Sequence, residues 1–269
     1  MTAGPVVVKV GGTMVEDDKT APALWETVAG LHRSRPGGVI VVHGGGKAVD
    51  RHLDRLGMRT ERREGIRVTP ADQLDEIVSV LAGRINKAIV GEFLRRNIRA
   101  VGLCLGDGNA VPTVKATRYS FDPGRVGEIP AAVAPGDRRD NLLGVLLRAG
   151  FLPVLSSIGI DADGFLNVNA DDAAAGVALA TGASSLVLLT DVPGILDGSR
   201  ALIAEIDSAG IERRIDSGEI TGGMIVKARA AGETARRIGA PVVIMSGAGA
   251  GAMEAWARGE PAGTRVLPR

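Results

Sequence analysis

Three stretches of lysine, glycine, amide and carboxylate together describe a site that could handle phosphate, although a lone lysine beside glycines, such as Lys9, can equally be a solvated strand end. Lys9 opens Lys9-Val10-Gly11-Gly12, Lys227 ends Gly222-Gly223-Met224-Ile225-Val226-Lys227, and Asp171 lies in Asn167-Val168-Asn169-Ala170-Asp171-Asp172. The last stretch puts two amides and two carboxylates within six residues at the mouth of an alanine-rich helix. A lone Asp there would simply cap free backbone N–H groups, but this density exceeds what a cap needs. A third glycine turn, His43-Gly44-Gly45-Gly46-Lys47, follows a short apolar run and precedes a helical pattern in Val49, Leu53 and Leu56. Strand, glycine turn and helix start together present bare N–H groups to an anion. The turn is not a Walker A motif, because Val41 and Ala48 occupy the positions of its first glycine and its Ser/Thr. Gly247-Ala248-Gly249-Ala250-Gly251 likewise lacks the dinucleotide spacing, with Ala252 where the third glycine would be. Arg67, between apolar residues ahead of a helix, is placed to pair with a carboxylate.

Bringing these groups together requires alternating strands and helices. Residues 5–10 and 39–42 read as buried parallel strands, with a helix over 22–32 between them carrying Leu24, Val28 and Leu31. Leu74, Ile77, Val78 and Leu81, then Ile85, Ile89 and Phe93, mark two consecutive amphipathic helices. Further strands are predicted at 100–105, 152–156, 185–189 and 242–245, and helices at 142–147 and 248–258. Residues 111–133 alternate around Pro123-Gly124 as hairpins do, predicting an antiparallel insertion that serves as a lid. The loop Thr190-Asp191-Val192-Pro193-Gly194-Ile195-Leu196 follows a strand's carboxyl end, where open α/β sheets bind ligands. Apart from Arg67, the charged run over 61–67 reads as a solvated face.

The chain of 269 residues is long enough for one large α/β domain, 1–269, and no repeat or linker marks a second. A net charge of +1 gives no support for nucleic-acid or membrane-surface partners. Cys104 is the only cysteine and there are three histidines, so an internal disulfide is excluded and a structural zinc site disfavoured. With no apolar run approaching the ~18 residues of a membrane span, a cytoplasmic protein is expected.

Taken in order, Lys9 to Gly12, His43 to Gly46, Gly65-Ile66-Arg67-Val68-Thr69, Asn167 to Asp171, Thr190 to Leu196 and Gly223 to Lys227 resemble the amino-acid kinase family, and within it the acetylglutamate branch. The resemblance implies a three-layer α/β/α sandwich on a largely parallel eight-stranded sheet. It also implies an amino-acid lobe with a dimer interface, about 1–165, and a nucleotide lobe, about 166–269. Gly45, Gly46, Arg67 and Asn167 would bind N-acetyl-L-glutamate. Gly11, Gly12, Asp191, Val192, Pro193, Gly194, Ile195, Leu196, Glu219, Ile220 and Thr221 would surround ATP, whose Mg2+ arrives with the nucleotide rather than in a protein metal site. Lys9 and Lys227 would stabilise the transition state, and Asp171 would orient both. The implied product is N-acetyl-L-glutamyl 5-phosphate, in the second step of arginine (ornithine) biosynthesis.

The chemistry supports the same reading. A side-chain carboxylate, pKa near ~4.3, is already ionised at neutral pH and needs no general base, so the lack of a persuasive His or Cys nucleophile is expected. The reaction needs two anions brought together and phosphoryl charge dispersed. Lys47 adds a positive charge after the third glycine, beside the presumed reacting centre, where it could reach phosphate or simply face solvent; Asp122-Pro123-Gly124-Arg125-Val126-Gly127 lacks the leucine usual in this part of the family, a departure that bears on the lid. The first strand begins within about five residues of Met1, leaving no length for the additional helix of arginine-inhibited hexamers, so an arginine-insensitive homodimer is expected. The alternatives are a same-fold kinase for another acidic substrate such as carrier-linked 2-aminoadipate, and a non-catalytic metabolite sensor. A nicotinamide-dependent oxidoreductase is remote, because the dinucleotide fingerprint fails.

Overall fold

The computed structural model describes residues 4–15, 21–131, 141–248 and 250–269. In chain order, β1 (Val6–Val10) leads through a helical turn α1 (Gly12–Val15) to α2 (Ala21–Ser34), β2 (Val39–His43) and α3 (Gly46–Arg55). A hairpin of β3 (Arg62–Arg63) and β4 (Ile66–Arg67) precedes α4 (Ala71–Val78), a π-helical segment Ser79–Ile85, and α5 (Asn86–Leu94). Next come β5 (Ala100–Leu103), β6 (Val114–Lys115), β7 (Val126–Glu128), α6 (Leu142–Arg148), β8 (Leu152–Ser156), β9 (Ile158–Asp161) and β10 (Gly164–Val168). The chain closes with α7 (Ala170–Thr181), β11 (Ser185–Thr190), β12 (Glu205–Ile206), α8 (Ser208–Asp216), α9 (Gly223–Ile238), β13 (Val242–Ser246), α10 (Gly251–Ala257) and β14 (Thr264–Val266).

The central sheet has eight strands in the order β12-β14-β13-β11-β1-β2-β8-β5. From β13 to β5 all neighbours are parallel, and β14 reverses against β13. Successive strand residues point to opposite faces, and the apolar runs feed two cores. Val6, Val8, Val10, Val39 and Val41 pack with α2, the π segment, α5 and α10, whereas Val7, Ile40 and Val42 pack with α7 and α9. This is the expected three-layer sandwich.

Two expectations change. The pair of helices predicted after residue 70 is one continuous helix, because Leu81, Ile85, Ile89 and Phe93 recur every four residues and the wider π turn absorbs that drift. The insertion is a four-stranded sheet, β6-β7-β10-β9, in which β6 and β7 are antiparallel as expected while β7 runs parallel to β10. Half of this sheet, the β9–β10 hairpin, comes from residues beyond the predicted span, and residues 132 and 133 of that span lie outside the described ones.

Candidate active site

The carboxyl ends of β1, β2 and β11 and the N-termini of α3 and α7 meet on one side of the sheet. Asn169 caps α7, its side-chain oxygen accepting from the N–H groups of Asp171 at 2.8 Å and Asp172 at 3.4 Å. Because Asn169 does the capping, the Asp171 carboxylate is released to face Lys9, 2.9 Å away. Lys9 sits near the end of the strand flanked by β2 and β11, so its backbone position is fixed on both sides. Lys227, in the first turns of α9, donates to Thr190 Oγ1 at 3.1 Å and to Asp191 Oδ1 at 3.2 Å. Thr190 Oγ1 also donates to Asp191, and this hydrogen bond, followed by Lys227, holds the Asp191 carboxyl below the usual carboxylate range. Of the two lysines that Asp171 was expected to orient, it contacts Lys9. Asp171 holds Lys9, and Asp191 with Thr190 holds Lys227, because α9 delivers its lysine beside the end of β11. Lys9, Gly11, Lys47, Asp171, Asp191 and Lys227 all line one cavity of about 360 Å³.

A smaller cavity of about 140 Å³ adjoins it and contains Gly45, Gly46, Arg67 and Asn167. Arg67, only 6% exposed in its side chain, donates to Gly46 O at 2.9 Å and lies 2.6 Å from Asp50 Oδ1. Its buried Nη1 has no hydrogen-bond partner among the described residues, and Arg67 is part of this cavity's lining. Such a donor is costly unless an anion or water satisfies it. Asn167 Nδ2 donates to Thr69 Oγ1 at 2.9 Å. The cavities meet at two helix starts: Gly46 and Ala170 line the smaller, Lys47 and Asp171 the larger.

The glycine loops are fixed by contact. A Cβ on Gly12 would lie 2.7 Å from Gly45 Cα, and one on Gly45 would lie 2.3 Å from Ile85 Cδ1 in the π segment. Gly12→Ala therefore sets a methyl against main chain that has no rotamer to change. We expect this variant to lose about 1–3 kcal/mol of stability, the usual cost of overpacking, and to lose turnover as well. Urea unfolding read alongside the assay checks both; an unchanged midpoint and rate would show that the seam yields.

Sequence reasoning missed several site residues. Arg62 lines the smaller cavity opposite Arg67 across the β3–β4 hairpin, and its Nη2 reaches Asp50 Oδ2 at 3.0 Å. The signal was the two-residue turn Glu64-Gly65, both at positive φ, which pairs Arg62 with Arg67 instead of leaving it in a solvated run. Buried His43 sits beneath the glycine turn, with Nδ1 at 3.0 Å from Gly44 O and Nε2 at 3.1 Å from Asn86 Nδ2. Arg118, from the loop between β6 and β7, pairs with Asp172 beside the larger cavity. Its guanidinium pKa is raised: burial opposes the charge, but the hydrogen bond and charge of Asp172 outweigh it.

The expected nucleotide residues divide. Gly11 and Asp191 line the larger cavity, and Gly12 lies behind Gly11 against Gly45. Val192, Pro193, Gly194, Ile195 and Leu196 continue the loop after β11, and Glu219, Ile220 and Thr221 lead into α9; neither group is in that cavity's lining. Ile195 and Ile220 are 0% and 1% exposed, and their side chains belong to the core. Glu219 pairs with Arg214.

The sequence profile described as the amino acid kinase family matches residues 4–246. This chain belongs to that family. Three solved structures share the amino acid kinase's fold. The smu.665 protein of Streptococcus mutans UA159 is 23% identical, with a TM-score of 0.75 over 98% of each chain. The N-acetylglutamate synthase of Neisseria gonorrhoeae, complexed with coenzyme A and N-acetyl-glutamate, is 20% identical with a TM-score of 0.78, covering 100% of this chain and 60% of the synthase. The carbamate kinase of Giardia lamblia bound to AMP-PNP is 17% identical, with a TM-score of 0.62 over 100% of each chain. Among the described residues, no helix is long and apolar enough to cross a membrane.

Proposed function

We propose that this amino acid kinase transfers the γ-phosphoryl group of MgATP to the side-chain carboxylate of N-acetyl-L-glutamate, giving N-acetyl-L-glutamyl 5-phosphate for arginine (ornithine) biosynthesis. The observation that carries the reading is the junction of two unlike cavities at the N-termini of α3 and α7. The smaller is lined by Arg67, a buried guanidinium whose Nη1 has no partner among the described residues and whose chemistry suits a carboxylate, and by Asn167. The larger offers Lys9 and Lys227, each held in direction by a carboxylate, where phosphoryl charge would pass. Gly45 and Gly46 hold the substrate against their backbone, residues 1–165 supply most of the amino-acid lobe, and residues 166–269 supply the nucleotide lobe. That lobe approaches ATP through the loop from Asp191 to Leu196 and the turn Glu219-Ile220-Thr221, and Gly11 and Gly12 approach it from residues 1–165.

The substrate carboxylate attacks as the ionised form, so the residues need only position it in line and offset charge. Lys9 and Lys227 offset charge on the moving phosphoryl group, while Asp171 and Asp191 keep the two ammonium groups aimed into the cavity. Magnesium carried by the nucleotide would supply further positive charge to its phosphates. Asp171 and Asp191, the nearest acidic groups to the lysines, are already engaged by them, which fits a metal carried by ATP more than one held by a protein cage. A homodimer through the amino-acid lobe in the cytoplasm completes the proposal, and light scattering reports its size.

The test is ATP turnover with magnesium on N-acetyl-L-glutamate, glutamate, acetylaspartate and 2-aminoadipate, trapping acyl phosphate with hydroxylamine. Hydroxamate formed selectively from acetylglutamate is the expected outcome. Product from aminoadipate alone moves the assignment to a carrier-linked substrate, and nucleotide binding without product moves it to a sensor.

A further inference from the structure

The charged side chains lining the larger cavity are Lys9, Lys47, Lys227, Asp171, Asp172 and Asp191. Five of them are already matched. Lys9 pairs with Asp171 at 2.9 Å, Lys227 with Asp191 at 3.2 Å, and Asp172 with Arg118. Lys47 has no ion-pair or hydrogen-bond partner among the described residues, and it is exposed to the cavity. Asp50, three residues further along α3 and the nearest acidic side chain on that helix, is taken by Arg62 and Arg67. The uncompensated positive charge of this cavity is therefore the Lys47 ammonium.

Its position narrows what it meets. Lys47 is the second residue of α3, directly after Gly46. Gly46 lines the smaller cavity and Lys47 the larger, so Lys47 stands at the boundary between the two linings. A group handed from one cavity to the other passes this point. An adenine or ribose at the far end of a nucleotide does not.

We propose that Lys47 is a third catalytic cation, touching the terminal phosphoryl group of the bound nucleoside triphosphate at the boundary between the cavities. This deepens the kinase reading and rests on it for the direction of transfer. Lys9 and Lys227 already have a partner in the protein, and each must share its charge between that partner and the phosphate. Lys47 shares with none, so its full charge is available to the γ-phosphate oxygens. It gives the site net attraction for a triphosphate over a diphosphate.

The experiment measures calorimetric affinities of the full-length protein for Mg–AMP-PNP and Mg–ADP, in the wild type, Lys47→Gln and Lys47→Arg, with hydroxamate kinetics beside them. Lys47→Gln is expected to lower the AMP-PNP-to-ADP affinity ratio about tenfold or more, the scale of one charge-assisted hydrogen bond, with ADP binding unchanged within about twofold. Lys47→Arg, which keeps the charge, restores most of the ratio. In the kinetics, kcat for Lys47→Gln falls more than the KM for N-acetyl-L-glutamate rises. An unchanged affinity ratio in Lys47→Gln overturns the assignment, as does equal weakening of both nucleotides, or a wild type that binds neither. A wild type that binds both nucleotides but makes no hydroxamate overturns the substrate reading alone, and the affinity ratio still decides the role of Lys47.

Discussion

Lys227→Ala and Lys9→Ala are each expected to lower kcat by roughly 10² or more, the scale for losing one donor aimed at developing charge. Both changes remove an ammonium group whose direction is set by a carboxylate, so the loss falls on the transition state more than on substrate affinity. Neither change should unfold the protein. Lys227 is 45% exposed, and Asp171, the carboxylate left behind by Lys9→Ala, is 53% exposed and can be hydrated. The melting midpoint is therefore the control, and it should move little while turnover collapses. A near-normal kcat in either purified variant would remove that lysine from the proposed chemistry. Asp171→Asn serves as a finer test: because Asp171 contacts Lys9 while Asp191 holds Lys227, its effect should resemble a weakened Lys9→Ala.

Acid should destabilise the fold through His43 well before most carboxylates titrate. The imidazole is 0% exposed, and its pKa is lowered from 6.5 to about 4, first by burial and also by the charge of Lys87, against a raising contribution from the Gly44 backbone hydrogen bond. Asn86 Nδ2 is a donor and makes Nε2 the acceptor, so a proton on Nε2 would set donor against donor. The unfolded chain takes up a proton as pH falls below 6.5, whereas the folded chain resists until about 4. The contribution is thus fully present above pH 6.5 and is lost as pH falls to about 4, a difference on the order of 3 kcal/mol. His32, also lowered and mainly by burial, acts with the same sign. Urea unfolding of the wild type and His43→Gln across this window isolates the effect. The variant starts less stable at pH 7 and loses less on acidification; parallel curves would refute the account.

How much of this was legible depended on the distance over which each signal acts. The strands of β1 and β2, the α7 start and the glycine turns are local patterns, and they appear where the sequence places them. Arg67 was recognisable because an arginine between apolar residues ahead of a helix is unusual locally. Asp50, which clamps it, looked like any polar residue on an exposed helical face, because its partners come from the β3–β4 hairpin. The pairing of Lys227 with Asp191 was hidden for the same reason. Their encounter requires the register of β11 against α9, and no spacing along the chain encodes it. The π segment escaped because four-residue spacing suits two offset α-helices as well as one widened helix.

The placing of β1 also governs how the protein can be made. This strand lies inside the sheet, with β2 on one side and β11 on the other, and Ser184 closes onto Pro5 across 179 residues of sequence. Its second neighbour therefore leaves the ribosome long after β1 itself, and closing so large a loop delays folding. Until residues 185–190 emerge, one edge of the Val6-Val7-Val8 run stays unpaired, and a bare apolar edge invites pairing with other chains. Chains that end before β11 should accumulate as aggregates, not as a working half-site. The arrival of β11 that seals this edge also brings Thr190 and Asp191 to the lysines.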